Sequence, residues 1–275
     1  MAEKAAGIIV STSNPRVKNL ILLQEKAKER KRQGAFVAEG IRMFREAPKQ
    51  WITDVYASES FFAENRELIQ GKAHGRRMYI LSDTLFAKVS DTETPQGILC
   101  VLRMPEYRRE DLFAVTPGAE PLLLILERIQ DPGNLGTLFR SAEGAGATGI
   151  LVSADSADSF NPKTVRSTMG SIFRMPFQVA ENLSGEIGSL KEAGIMVYAA
   201  QMDGSVCYDE PDYRAGSAFL VGNEGNGLTE QTAALADRSV RIPMAGQLES
   251  LNAAVSGSLL LFEAARQRRR GSRPE

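Results

Sequence analysis

The feature that most limits the fold is an unbroken apolar run, Leu122-Leu123-Leu124-Ile125-Leu126, followed by apolar residues at helical spacing. A strand without polar alternation has to be covered on both faces. Leu135, Leu138, Phe139, Ala142 and Ala145, behind Asp131-Pro132-Gly133-Asn134, form one such cover. The pattern repeats: strand 150–152, a helix from about Pro162, a strand around Phe177, helix 187–192, strands 195–199 and 218–221, helix 229–236, strand 240–242 and a final helix 251–268. Short apolar strands separated by helices predict an α/β fold with a mostly parallel sheet. Ligands in such sheets sit at the carboxyl ends of strands, so the loops after Leu126, Val221 and Ile242 are where chemistry is expected.

Upstream, Pro105, Pro117, Gly118 and Pro121 punctuate a linker over 105–120. Before it, 16–32 reads as one helix, apolar in its first half and basic in its second. Strands at 36–39, 52–57, 78–81 and 97–102 with helices at 40–47 and 64–70 predict a small separate α/β module. The expected domains are therefore 1–104, a linker 105–120, a larger domain 121–268 and a basic tail 269–275.

Charge is uneven along the 275 residues. The overall −1 hides 11 Lys+Arg against 5 Asp+Glu in residues 1–50 and 5 against 1 in 266–275, with an acidic centre between. Two basic ends point to an anionic partner held at specific surfaces. The two cysteines, Cys100 and Cys207, and the single histidine, His74, exclude a disulfide framework, a His-based triad and a multi-ligand zinc site. No metal is expected. A reducing cytoplasmic setting without membrane association is, since residues 1–7 lack a secretory leader pattern and no run reaches the ~18 apolar residues of a span.

Gly144-Ala145-Gly146-Ala147-Thr148-Gly149 matches the letters of a dinucleotide fingerprint. It sits between a helix and the strand after it, the reverse of what that motif needs, so a tight turn is expected. The loop after Leu126 runs into a helix start, suited to an anionic ligand, although Asn134 can equally serve as a simple cap. Arg140 emerges about two turns further on. In Gly222-Asn223-Glu224-Gly225-Asn226-Gly227-Leu228, three glycines allow close backbone approach and Glu224 is the lone charge. After Ile242, Ser250 reads as an N-cap, and Asn252 inside a helix needs a partner for its amide. Ile242, Met244 and Leu251 suit the apolar wall of a pocket for an adenine ring or a thioether.

Together these loops resemble the three motifs of the SpoU (TrmH-like) branch of the SPOUT RNA methyltransferases. Motif one is similar to Asp131-Pro132-Gly133-Asn134-Leu135-Gly136 with Arg140 and Gly144. Motif two is similar to Phe219-Leu220-Val221-Gly222-Asn223-Glu224-Gly225 with Gly227-Leu228, and motif three to Ile242-Pro243-Met244, Ser250-Leu251-Asn252 and Glu263. The resemblance spans about 121–265. After Asn252 this chain reads Ala253-Ala254-Val255-Ser256, where members often have Val-Ser-Val-Ala. The N-terminal module resembles the family's substrate-binding domain, a ribosomal-protein-like RNA-binding fold, through Phe36-Val37-Ala38-Glu39-Gly40.

The resemblance implies a trefoil-knotted SPOUT methyltransferase domain, a homodimer, and methyl transfer from S-adenosylmethionine to a ribose 2′-hydroxyl of RNA, with 23S ribosomal RNA preferred. It implies a catalytic set of Asn134, Arg140, Glu224, Ser250 and Asn252, in which Glu224 orients Arg140 or a neighbouring donor. Backbone groups of Leu220, Gly222, Ile242 and Leu251, together with Met244, are then cofactor contacts. Arg16, Lys18, Lys28, Arg30, Lys31 and Arg32, together with basic residues of 266–273, are expected on RNA phosphates. The competing readings are a tRNA 2′-O-methyltransferase, a catalytically silent RNA-binding protein and a dinucleotide-dependent oxidoreductase.

Overall fold

The computed structural model describes residues 7–114, 119–248 and 250–271, and the chain divides into two compact units. The first takes in described residues of Met1–Glu106 together with Asp158–Phe173, and the second those of Tyr107–Ala157 and Arg174–Glu275.

In the first unit, α1 (Pro15–Glu25) starts on Asn14, whose side chain accepts from the Arg16 N–H at 2.9 Å. One basic helix is expected over 16–32, but Lys26 is extended (φ −118°) and α2 (Ala27–Gln33) starts anew. Arg30 is the physical reason. Its guanidinium donates to the carbonyls of Leu23 and Gln24, each at 2.8 Å, at the open end of α1. It also grips Asp158 through two nitrogens at 2.9 and 2.6 Å. Arg30 is 2% exposed, which corrects its assignment as a phosphate contact: it is an internal tie.

The unit continues as β1 (Ala35–Glu39), α3 (Ile41–Glu46), β2 (Ile52–Ser58), α4 (Glu59–Glu64), α5 (Arg66–Ala73), β3 (Arg77–Leu81), α6 (Asp83–Val89) and β4 (Ile98–Arg103). The sheet order is β1-β4-β2-β3, with β2 and β3 parallel and the other pairs antiparallel. One face places Val37, Tyr56, Tyr79, Leu81, Leu99 and Val101 under Val17, Leu20 and Leu23 of α1 and Leu85, Phe86 and Val89 of α6. Strand alternation turns Phe36, Ala38, Val55, Ala57, Cys100 and Leu102 to the other face, all buried.

There Phe36 meets the rings of Phe160 and Phe173 at centroid separations of 4.8 and 6.5 Å. These contacts bring Asp158–Phe173 into the first unit, where the sequence predicts one continuous domain over 121–268. Burying a phenylalanine is favourable by roughly 1.5–3 kcal/mol, more than a solvated loop would gain.

The second unit holds β5 (Leu122–Leu126), α7 (Pro132–Ala145) and β6 (Gly149–Ser153). After α8 (Pro162–Ser167), which lies in the first unit, it resumes with β7 (Phe177–Ala180), α9 (Leu183–Glu192), β8 (Met196–Ala200), β9 (Val206–Cys207), β10 (Ser217–Val221), α10 (Glu230–Ala233), β11 (Arg238–Arg241) and α11 (Ala253–Gly271). The strand order is β7-β6-β5-β10-β8-β11-β9, and all neighbouring pairs are parallel. The fold class expected from the sequence is thus present.

One face of this sheet packs Leu123, Ile125, Leu151, Val197, Ala199, Ala218 and Leu220 against Ile187 and Leu190 of α9 and against Leu112. Leu112 comes from the expected linker, so the turn Arg109–Phe113 is part of this unit's core. The other face carries α7 and α11. A Cβ on Gly257 would stand 2.6 Å from Leu138 Cδ2 and 3.5 Å from Val221 Cγ2, so this glycine lets α11 lie directly on α7 and the sheet. Gly146 ends α7 with φ +77° and Gly149 opens β6, as the tight-turn reading requires.

Candidate active site

Glu224, at the carboxyl end of β10, is the hub. One carboxylate oxygen accepts the Gln130 N–H at 3.0 Å, and the other accepts the Asp131 N–H and the Asn134 side-chain amide, both at 3.1 Å. An ionised carboxylate only accepts, so it fixes the Asn134 amide with its nitrogen inward and its Oδ1 outward. That Oδ1 accepts from Asn252 Nδ2 at 3.0 Å, and Asn252 Oδ1 in turn accepts the Ala254 N–H at 2.8 Å. A one-way chain of amides therefore links the loops after β10 and β5 to the start of α11. Among the described residues, Asn134 and Asn252 each keep one side-chain N–H unspent.

The caps differ from expectation. Asp131 caps α7, accepting the Asn134 N–H at 2.8 Å, so Asn134 is free for the chain just described. Asn252, not Ser250, caps α11, whose helix begins two residues later than predicted. Asn252 thus escapes the cost of an amide inside a helix.

Partial burial works to raise the Glu224 pKa. The hydrogen bonds from Gln130 and the Asn134 amide, with that of Asp131, outweigh it and hold the carboxyl below its ordinary value. The stability this network contributes is complete above the ordinary carboxylate range near pH ~4.3 and is lost as pH falls through the lower folded value. Glu224→Gln places an NH2 group among these donors. It is expected to destabilise the protein by roughly 1–3 kcal/mol and to remove that acid-side dependence. Denaturant melts at pH 7 and pH 4 check this, and a variant as stable as the parent at pH 7 contradicts it.

Sequence reasoning passed over two supporting residues. Asn223 donates to the Arg128 carbonyl at 2.8 Å and accepts the Gly225 and Asn226 N–H groups at 2.9 and 3.0 Å, tying the two loops together. Arg128 itself adopts φ +56°, a left-handed conformation that disfavours side chains. Glycine at this position would have signalled the turn; arginine conceals it.

Beside the hub, a cavity of about 820 Å³ opens at the carboxyl ends of β8, β10 and β11. Gly222, Ile242, Met244, Leu251 and Ser250 line it. Leu220 is absent from the lining, where Val221 forms the wall at this strand; its side chain is fully buried in the sheet core, and the contact expected of it is through its backbone. A Cβ on Gly222 would fall 2.3 Å from the backbone of Gly227 and Leu228, so this loop has to fold without a side chain there. Residues 200–203, at the carboxyl end of β8 and just beyond it, also line the cavity and went unmarked, although the rule about strand carboxyl ends applies to them equally.

Arg140 is exposed on α7 and has no partner among the described residues; Glu224 does not hold it. In the first unit, Arg16, Lys18, Lys28, Lys31 and Arg32 are exposed. The Arg16 guanidinium stacks over Tyr79 at 4.5 Å, and Arg32 pairs with Glu29 at 2.6 Å. Within the basic stretch 266–273, Arg266 binds Glu263, while Arg268 donates to the carbonyls of Tyr213, Glu120, Pro121 and Ala215. These two arginines secure α11 instead of extending toward phosphates, and Arg273 lies outside the described residues.

Residues 121–262 match the model of the SpoU rRNA Methylase family. The chain belongs to this family. Residues 14–100 match the MRM3-like substrate binding domain. Among its relatives, the 23S rRNA (guanosine(2553)-2′-O)-methyltransferase RlmP of Bacillus subtilis is 34% identical, over 92% of this chain and 97% of its own. The AdoMet-bound rRNA methyltransferase of Sinorhizobium meliloti superposes with a TM-score of 0.82 at 30% identity, covering 94% of this chain and 97% of that one. The SpoU methyltransferase AviRb of Streptomyces viridochromogenes, in complex with AdoMet, gives 0.84 at 27% identity over 93% and 98%.

Proposed function

We propose that the protein transfers the methyl group of S-adenosylmethionine to a ribose 2′-hydroxyl of 23S ribosomal RNA in the cytoplasm. The observation that carries this reading is the amide chain from Asn252 through Asn134 to Glu224, standing beside a cavity of about 820 Å³. The cavity fits the cofactor. Its volume lies in the usual range of about 300–1,000 Å³ for small-molecule sites, and it pairs glycine-rich backbone at Gly222, Gly225 and Gly227 with apolar Val221, Ile242, Met244 and Leu251.

Bound there, S-adenosylmethionine supplies a methyl group on a positively charged sulfur that leaves readily. The chain's own residues have to align the ribose hydroxyl and accommodate its developing negative charge. Alignment can contribute about 7–11 kcal/mol. The unspent N–H groups of Asn134 and Asn252 and the Ser250 hydroxyl orient ribose and cofactor. Glu224 is a weak base, since three donors occupy its oxygens, and its part is to hold Asn134 and the Gln130–Asp131 backbone in place. The guanidinium of Arg140 stabilises the alkoxide or an adjacent phosphate.

A second copy of the chain brings Arg140 to the reacting atoms. Val255, Leu259 and Phe262 are 47%, 36% and 45% exposed and form an apolar stripe at i, i+4 and i+7 on α11. Phe262 lies 3.4 Å from where a Cβ on Gly144 would stand, and Arg140 is one turn before Gly144 on α7. The free guanidinium and the stripe thus share a surface, and docking two copies on it would carry one protomer's Arg140 toward the other's cavity. Leu259→Asp with Phe262→Asp is expected to yield monomers that bind cofactor and have lost at least about 100-fold in turnover. Sedimentation combined with rates checks this, and fully active monomers contradict it.

The match of residues 14–100 to a substrate-binding domain supports ribosomal over transfer RNA. The helix-to-strand glycines leave the oxidoreductase reading without a phosphate site. Calorimetric titration tests the cofactor assignment: S-adenosylmethionine is expected to bind one per chain and NAD not at all, and the reverse would overturn it.

A further inference from the structure

We propose that the first unit carries a second RNA-backbone surface, formed by Arg45, Lys49, Lys72 and Arg76 on the α3–α5 side of its sheet. This rests on the RNA reading above and adds a contact region to it.

The four cations converge through the backbone. Lys72 Nζ donates to the Arg45 carbonyl at 2.5 Å, and Arg76 Nη2 donates to the Lys49 carbonyl at 3.0 Å. The Arg45 carbonyl lies in the last turn of α3, where helical partners run out, and the Lys49 carbonyl, which also accepts the Ile52 N–H, opens the turn Lys49–Trp51. Carbonyl partners orient a cation without neutralising it. Arg45 and Lys49 are exposed and have no side-chain partner among the described residues. The carboxylate on α3, Glu46, binds Arg42 at 2.9 Å.

Lys72 also feels this crowding. Burial, and after it the charge of Lys49, holds its ammonium below the ordinary lysine value. Like charges gathered close together oppose folding, and a polyanion relieves that repulsion.

This surface is distinct from the basic helix α1. Arg16 and Lys18 belong to α1, which packs on the Val37 and Tyr56 face of the sheet. Lys72 lies near the buried Cys100 thiol, which points to the opposite face. The chemistry favours phosphates over a protein partner. Protein interfaces centre on apolar and aromatic anchors, and the large exposed apolar residues among the described positions all lie outside residues 11–178. Phosphate contacts need only positioned cations, and the two arginines offer forked donors.

The test is a Lys49→Gln/Lys72→Gln double variant of the full chain, titrated with a 23S ribosomal RNA transcript at several salt concentrations. Glutamine keeps an N–H for the Arg45 carbonyl while removing the charge. RNA affinity near 0.1 M salt is expected to fall roughly tenfold or more, and the slope of log affinity against log salt to shrink by about 1.5–2. S-adenosylmethionine affinity and kcat at saturating RNA should hold, with KM for RNA raised. Lys49→Gln alone, at an exposed position, gives about half the change in slope and guards against misfolding of the double variant. Wild-type affinity and slope in both variants would overturn the surface while leaving the methyltransferase reading intact. A parent protein that neither binds RNA nor transfers methyl would instead overturn the reading beneath it.

Discussion

Arg140→Ala is expected to lower kcat by about 10²–10³-fold while leaving stability within ~0.5 kcal/mol and cofactor affinity unchanged. The stability half follows from exposure and lack of partners, since surface substitutions away from packed features seldom exceed that figure. The kinetic half follows from the chemistry. Removing one positioned donor to a developing oxyanion costs roughly 2.7–4 kcal/mol in the transition state, so the kinetic effect dominates by several-fold. Arg140→Lys should recover only part of the rate, because an ammonium keeps the charge but not the planar fork. Mixing the Arg140→Ala chain with a Leu251→Arg chain, blocked in its own cavity, should restore activity through mixed dimers. Rates as low as those of the separate variants would place Arg140 in its own protomer's site or outside the reaction.

Arg30→Ala is expected to destabilise the protein by about 3 kcal/mol or more and to leave the salt dependence of RNA binding unchanged. Alanine strands Asp158 at the other end of a pair whose arginine is 2% exposed, and it leaves the carbonyls of Leu23 and Gln24 unserved. Breaking such a buried pair typically costs 3–5 kcal/mol, and the 23% exposure of Asp158 argues for the lower end. Against a typical total stability of 5–15 kcal/mol, this shift is read easily from the urea midpoint. A variant of normal stability with a reduced salt slope would return Arg30 to the phosphate surface.

These two arginines show what a sequence displays and what it conceals. Arg140 sits in a helix whose apolar spacing predicts where it emerges, and it is exposed there. Arg30 stands in a run of charges that reads as a solvated face, and its partner is 128 positions away. No local pattern announces such a pairing. The same distinction explains the unit boundaries. β5, α7 and the loop around Glu224 follow from periodicity and turn chemistry close in sequence. The placement of Asp158–Phe173 depends on Phe36 meeting Phe160 and Phe173, contacts that only the folded chain creates. At the site, Glu224 and Asn134 stood out as polar residues at strand and helix ends, yet the order of the chain does not tell which amide faces which. The carboxylate decides that, by accepting from Asn134 and leaving its oxygen for Asn252.

The most direct test of ribose methyl transfer is to incubate the protein with labelled S-adenosylmethionine and RNA from cells lacking its gene, then map the label. Methyl incorporation into 23S ribosomal RNA at a 2′-oxygen is expected, protecting the adjacent phosphodiester from alkaline cleavage and lost in the Arg140→Ala variant. Label on a base, or in no RNA at all, would contradict it.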